Sequence, residues 1–209
     1  MPDARPNILY VFTDQQSAAA MSCAGNADLH TPNMDALAAR GVLFDRAYCA
    51  YPLCTPSRAA MFSGFWPHQV GIRVNGQGFS EASLGRTLGH VMTAGGYDCV
   101  YAGKWHVPEG SIPDGVHGFR SLCGWGDEQV PGACAEYFRQ AGDRPFFMVA
   151  SFVDPHAICE YGRFDVAPFG DVGEPAPGEC PNLPTNFAPA PHEAQVFREW
   201  HDSQMFLRI

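Results

Sequence analysis

Residues Asn7–Asp14 read NILYVFTD. The run is short and almost wholly apolar before it ends on a carboxylate. That pattern predicts a strand buried on both faces, the kind found in parallel sheets flanked by helices. In an open α/β sheet, ligands bind outside the carboxyl ends of the strands. Asp14 therefore stands where such folds do their chemistry.

The segments around it repeat the theme. TPNMDALAARG (31–41) predicts a helix, with Pro32 in its first turn, Met34, Leu37 and Ala38 on one face, and Gly41 as its stop. VLFDRAY (42–48) predicts a second strand. PLCTPSRAAMFSG (52–64) predicts a loop entering a helix that ends at Gly64. Leu84, Leu88, Val91 and Met92 mark one apolar face of a further helix, closed by Gly95 and Gly96. YDCVYAG (97–103) predicts a strand that delivers Lys104, Trp105 and His106. RPFFMVASF (144–152) predicts a strand that delivers Val153, Asp154, Pro155 and His156. Strands alternating with helices predict an α/β fold with a largely parallel sheet flanked by helices. Beyond Arg163, prolines at 168, 175, 177, 181, 184, 189 and 191 punctuate a stretch without periodicity, which predicts a surface excursion. A short helix is expected near His192. The expected organisation is a main portion over residues 1–163, with 164–209 as a Pro-rich excursion of the same domain.

Composition bounds the function. The 209 residues are 46% hydrophobic and 17% charged, which suits one globular domain or part of a larger one. A net charge of −9 argues against a nucleic-acid surface, although a site can still focus a few cations on a small anion. No apolar run is long enough to span a membrane. The opening MPDARPNILYVF lacks a basic region, an apolar stretch and a cleavage site in series, so the sequence as written predicts a cytoplasmic location. A trimmed leader, and with it a periplasmic or secreted location, would leave the same trace. The eight cysteines form no C-x-x-C pair and no regular framework, so most are expected to be buried small hydrophobes.

Polar groups cluster at the predicted strand ends: Asp14, then Lys104 and His106, then Asp154 and His156. The loop before the helix that ends at Gly64 adds Cys54 and Arg58. Each has a plain structural alternative. An Asp after a strand is usually a turn or a cap, and Thr55 or Ser57 could cap a helix beside a buried Cys54. Their joint placement at strand ends is the stronger signal. Arg58 lies one helical turn beyond Cys54, so both can face one anion at a helix N-terminus.

With these blocks in order, the chain resembles the sulfatases of the alkaline phosphatase-like superfamily. The resemblance runs from PNILYVFTDQ through TPNMDALAARGVLFDRAY, CTPSRAAMFSG and GYDCVYAGKWH to RPFFMVASFVDPH, about residues 6–160. It implies that Cys54 is oxidised to formylglycine by a maturation enzyme, and that a divalent cation, Ca2+ above others, is held by Asp14, residue 54 and, less typically, Gln15. A plain thiolate would leave a sulfur adduct with no easy exit, whereas a hydrated aldehyde can attack, release sulfate and re-form. The resemblance further implies that Arg58 and Lys104 hold the formylglycine oxygens and developing charge, that His156 assists the leaving oxygen, and that His106 is the base that frees sulfate. The implied reaction is hydrolysis of a sulfate monoester. DPHAICEYGR loosely resembles sulfatases directed at glycans, which implies a sulfated sugar. Phosphonate or phosphodiester hydrolysis within the same superfamily is the alternative.

The chain departs from the family in its second half. Relatives carry a later Asp-Asn or Asp-His pair of metal ligands and a further lysine, and no such block follows residue 160. The expectation is an N-terminal part of a sulfatase, with an exposed sheet edge and with an inactive fragment as the third alternative.

Overall fold

The computed structural model describes residues 5–80, 83, 85–108, 115, 117–162, 188 and 191–199. In chain order the elements are β1 (Ile8–Asp14), α1 (Pro32–Arg40), α2 (Cys54–Ser63), α3 (Leu88–Ala94), β2 (Asp98–Gly103), β3 (Arg120–Cys123), α4 (Val130–Gln140), β4 (Phe146–Pro155) and α5 (Ile158–Gly162). Two compact units divide the chain: residues 1–15 with 46–155, and residues 16–45 with 156–209.

The first unit is built on one four-stranded sheet in the order β1-β4-β2-β3. Every pair is parallel, with Ile8 opposite Phe147, Val100 opposite Met148, and Val100 opposite Arg120. The parallel sheet expected from the sequence is therefore present, and β4, the longest apolar run, lies inside it. One face carries Tyr101, Cys99, Phe147 and Val149, which pack with Phe62 and Ala59 of α2, and with Trp105, Val107 and Phe119. Leu88 and Met92 of α3 close against the same cluster. The other face carries Val100, Ala102, Met148 and Ala150 beneath Val130, Cys134 and Tyr137 of α4. Burying an aromatic or large aliphatic side chain in such a cluster contributes about 2 kcal/mol or more.

Several expectations change. β1 is buried on one face only: Ile8, Tyr10 and Phe12 join the core, while Leu9 is 49% and Val11 52% exposed. β1 is an edge strand, and α4 covers the three strands beside it. VLFDRAY forms no strand. Val42 and Phe44 are more than three-quarters exposed, and among the described residues no neighbouring strand supplies the ladder that an extended run needs. On α3, Val91 points to solvent at 61% exposure, and on α1 Met34 and Leu37 are exposed, so neither helix buries its whole apolar set. Leu84 lies outside the described residues. Among the described cysteines, only Cys99 and Cys134 are buried; Cys23, Cys54, Cys123 and Cys159 are half-buried and Cys49 is exposed, all as free thiols.

Two elements carried no clear sequence signal. β3 is four residues long. α4 holds Pro131 and Gly132 in its first turn, but Pro is tolerated there because that N–H has no helical partner. Its buried Val130, Cys134 and Tyr137 follow the helical i, i+4, i+7 rule.

In the second unit, the Asp35 carboxylate in the first turn of α1 accepts from Ser22 Oγ at 2.8 Å, from Thr31 Oγ1 at 3.2 Å and from the Cys23 N–H at 2.9 Å. The Ser22 hydroxyl above all holds that carboxyl below its ordinary range. Residues 195–199 are helical, in line with the helix expected near His192. The remainder of the Pro-rich stretch lies almost wholly outside the described residues. No helix among the described residues is long and apolar enough to cross a membrane.

Candidate active site

Cys54 opens α2. Leu53, in extended conformation, is the residue before the first turn, and no side chain caps it. The capping roles open to Thr55 and Ser57 are not taken. Thr55, fully buried, instead donates its hydroxyl to the His106 carbonyl at 2.8 Å, and its N–H donates to Asn75 Oδ1 at 3.0 Å. Asn75 thus takes one of the free N–H groups of the first turn, and the helix start keeps its partial positive charge beside Cys54. Gly64, in the left-handed region at φ 74°, closes the helix as expected.

Asp14 and Arg58 meet beneath that helix start. Asp14 Oδ2 receives Arg58 Nη2 at 3.3 Å and also pairs with Lys104 Nζ. All three are buried, at 8%, 4% and 2% exposure. Two cations around one carboxylate leave a net positive centre, which is what an anionic substrate needs and what an isolated buried charge could not sustain. Arg58 is further fixed by donation from Nη1 to the Lys104 carbonyl, to Ser151 Oγ at 3.0 Å and to the Trp105 carbonyl at 3.4 Å. The Lys104 carbonyl also accepts from Tyr101 Oη and Ser151 Oγ, each at 2.7 Å. Burial pushes the Tyr101 phenol up to about 12, so it remains a donor.

Cys54 Sγ lies 3.7 Å from Asp14 Oδ1, with the thiol donating. Burial first, and the Asp14 carboxylate second, push the thiol above its ordinary range, while Lys104 and Arg58 pull the other way. The unmodified residue is thus a neutral thiol at pH 7, a poor nucleophile as it stands.

Of the residues singled out in the sequence, the structure brings Asp14, Cys54, Arg58 and Lys104 together. His106 joins through Thr55, is half-buried, and adopts φ 56°, a left-handed conformation that a non-glycine residue adopts at some cost. Its ring meets Trp125 edge-on at 5.1 Å. Gln15 follows Asp14 as an exposed residue at φ 67°. His156 follows β4 directly and belongs to the second unit, where its carbonyl accepts from the Cys159 N–H at 3.0 Å.

Sequence reading missed Ser151, Tyr101 and Asn75. Ser151 had a signal: a hydroxyl inside a run of buried apolar residues must find a partner. Asn75 had none, because nothing in VNGQG points to a backbone amide twenty residues earlier in the chain.

Among the described residues, no group of three or more His, Cys, Asp or Glu side chains could hold a metal ion. A calcium ion takes roughly six to eight oxygens. Asp14 is a single carboxylate already balanced by two cations, so these residues alone do not fit a closed calcium site.

A sequence model of the sulfatase family matches residues 6–181. The chain is 31% identical over 198 residues to a Delta 4,5-hexuronate-2-O-sulfatase of Bacteroides thetaiotaomicron, covering 88% of this chain and 40% of that protein. A solved structure in complex with its substrate D-glucosamine-2-N,6-O-disulfate superposes with a TM-score of 0.62 at 28% identity, over 73% of this chain and 35% of the other. A phosphonate monoester hydrolase of Agrobacterium radiobacter shares the fold, with a TM-score of 0.59 at 24% identity over 73% and 41%. The chain thus spans less than half the length of these proteins. The family match carries with it, in general terms, a formylglycine and a divalent metal. Matched across most of its own length, the chain belongs to the sulfatase family.

Proposed function

We propose that the chain carries the nucleophile-bearing part of a sulfuric ester hydrolase site, and that the whole protein cleaves sulfate monoesters of sugars through residue 54. One observation carries this: Cys54, at the start of α2, sits 3.7 Å from a carboxylate that Arg58 and Lys104 both pair with. Converted to formylglycine by a maturation enzyme and hydrated, residue 54 supplies an oxygen nucleophile where the thiol now stands.

The chain's own groups then divide the work. Lys104, with Arg58 behind it, presents positive charge toward the sulfate oxygens, and the helix start adds its partial charge. Arg58 is so fully engaged by the carbonyls of residues 104 and 105 that its role is to hold geometry as well as charge. His106, half-buried with its carbonyl held by the Thr55 hydroxyl, is assigned to take a proton from residue 54. His156 is assigned to the leaving oxygen. Calcium is the proposed cation, because carboxylate and amide oxygens are hard donors; its remaining ligands belong to no described residue.

The sugar preference rests on relatives named for hexuronate and glucosamine sulfates. The phosphonate or phosphodiester reading draws only on shared fold. An inactive fragment is the second reading, favoured by the length the chain spans of its relatives.

The test has two parts. The tryptic peptide Ala47–Arg58 is weighed for loss of the thiol sulfur and gain of an aldehyde oxygen at residue 54. Turnover of 4-nitrophenyl sulfate is then compared with that of bis(4-nitrophenyl) phosphate. Preferred sulfate cleavage, lost in Cys54→Ala, is expected. Preferred diester cleavage overturns the substrate class, and a fully modified but inert chain establishes the fragment.

A further inference from the structure

Among the described residues, Trp125 is the one large aromatic side chain that both touches the site and stays open to solvent. It lies on the turn after β3, flanked by Gly124 and Gly126, and is 44% exposed. Lys104 Nζ lies 5.2 Å from the centre of its ring. The His106 ring meets it at 5.1 Å, near perpendicular at 77°. The indole therefore contacts the cation that faces the anion and the histidine assigned to proton transfer, and still leaves a large part of its surface uncovered.

The turn that carries it is pinned. Asp127, two residues on, accepts the Val153 N–H at 2.7 Å and the Asp154 N–H at 2.8 Å with its two carboxylate oxygens. The Gly126 carbonyl accepts the Gln129 N–H at 3.0 Å. Two successive amides near the end of β4 thus hold the segment at the carboxyl edge of the sheet. What sets Trp125 apart from the other exposed aromatics is its contact with Lys104 and His106 on a turn that is held in place. Its surface would suit a group that is flat and apolar on one face and polar at its rim, which describes a pyranose ring.

We propose that Trp125 is a substrate-positioning residue: its open indole surface receives the sugar ring of the sulfate ester, while Lys104 holds the sulfate. This rests on the sulfated-sugar reading given above. It adds to that reading the residue that tells a sugar sulfate from sulfate itself. The ring contact and the anion contact are separate, so they are separable by mutation.

The experiment titrates the full 209-residue chain by calorimetry with two probes, D-glucosamine-2-N,6-O-disulfate and inorganic sulfate. It does so for the wild type, Trp125→Ala and Trp125→Phe, with a thermal melt of each. The expected result is a sugar affinity about five- to tenfold weaker in Trp125→Ala, with Trp125→Phe recovering most of it, on the scale of one lost aromatic contact. Inorganic sulfate should bind all three alike. Unchanged sugar affinity in Trp125→Ala overturns the proposal. So does an equal loss for both probes, which would mean the indole merely steadies Lys104, and so does a wild type that fails to bind the sugar. If Trp125→Ala melts early, Trp125→Phe decides: a folded Phe variant must keep sugar affinity. Turnover of 4-nitrophenyl sulfate is read separately. Trp125-dependent sugar binding without turnover keeps the platform and selects the inactive-fragment reading, and turnover with no effect of Trp125 on sugar binding keeps the hydrolase and overturns the platform.

Discussion

Arg58 shows how a side chain can serve a site and a fold at once. Its guanidinium fork meets Asp14, Ser151 and two successive carbonyls, a set that a single ammonium group cannot reproduce. Arg58→Lys is expected to lower stability by about 3 kcal/mol, because buried acceptors lose their donors. The midpoint of urea denaturation reads this directly. His117 tests a different balance. It is fully buried between Trp105 and Phe79, and burial, helped by nearby His90, pushes its imidazole down to about 4. The folded state thus refuses a proton that the unfolded chain accepts below about pH 6.5. Stability should be complete above that pH, fall by roughly 3 kcal/mol as pH drops to about 4, and change no further from this group. His117→Phe should flatten that part of the profile; an unaltered slope in denaturation curves would refute the assignment. Asp14, Cys54, Arg58 and Lys104 were all legible as residues, since each sits at a strand end or near a helix start. Their mutual pairing was not, because it depends on which strands are neighbours.

At the scale of elements, β2 shows how a strand delivers its cargo. It ends on Gly103, at φ 95°, and a methyl group added there would stand 1.9 Å from the Ser151 carbonyl oxygen. The glycine lets β2 run hard against β4 and then turn Lys104 toward Asp14. Gly103→Ala is expected to cost at least about 3 kcal/mol through strain and collision. Loss of the folded transition in circular dichroism would show it, whereas a melt within a degree or two of the wild type would rule it out. β1, β2 and β4 were readable as apolar runs bounded by polar punctuation, and α2 by its terminal Gly64. VLFDRAY has the same kind of composition and failed as a strand, because periodicity records what a segment could bury and not whether a partner exists. α4 was hidden by Pro131 and Gly132, though both sit where a helix tolerates them.

At the scale of the whole molecule, apolar surface is left open. Leu9 and Val11 line an edge strand, and Phe44, Tyr48 and Trp66 are each more than half exposed. An unprotected edge with apolar side chains invites association. The purified chain should sediment as concentration-dependent oligomers, and the double variant Leu9→Lys, Val11→Lys should shift it toward monomer with little loss of stability. A wild type that stays monomeric at high concentration would argue that this surface is harmless. The α/β class was legible from alternation. The open edge was not legible in the run NILYVFTD itself, which reads the same whether one face or both are covered. The strand order has one more effect, on the timing of folding. β4 lies between β1 and β2 and pairs with both, yet it is the last of the four to be synthesised. Until the ribosome has passed Pro155, β1 has no strand to pair with, whereas β2 and β3 can already pair. Completion of the sheet is thus late and rests on long-range pairing, the kind of topology that folds slowly.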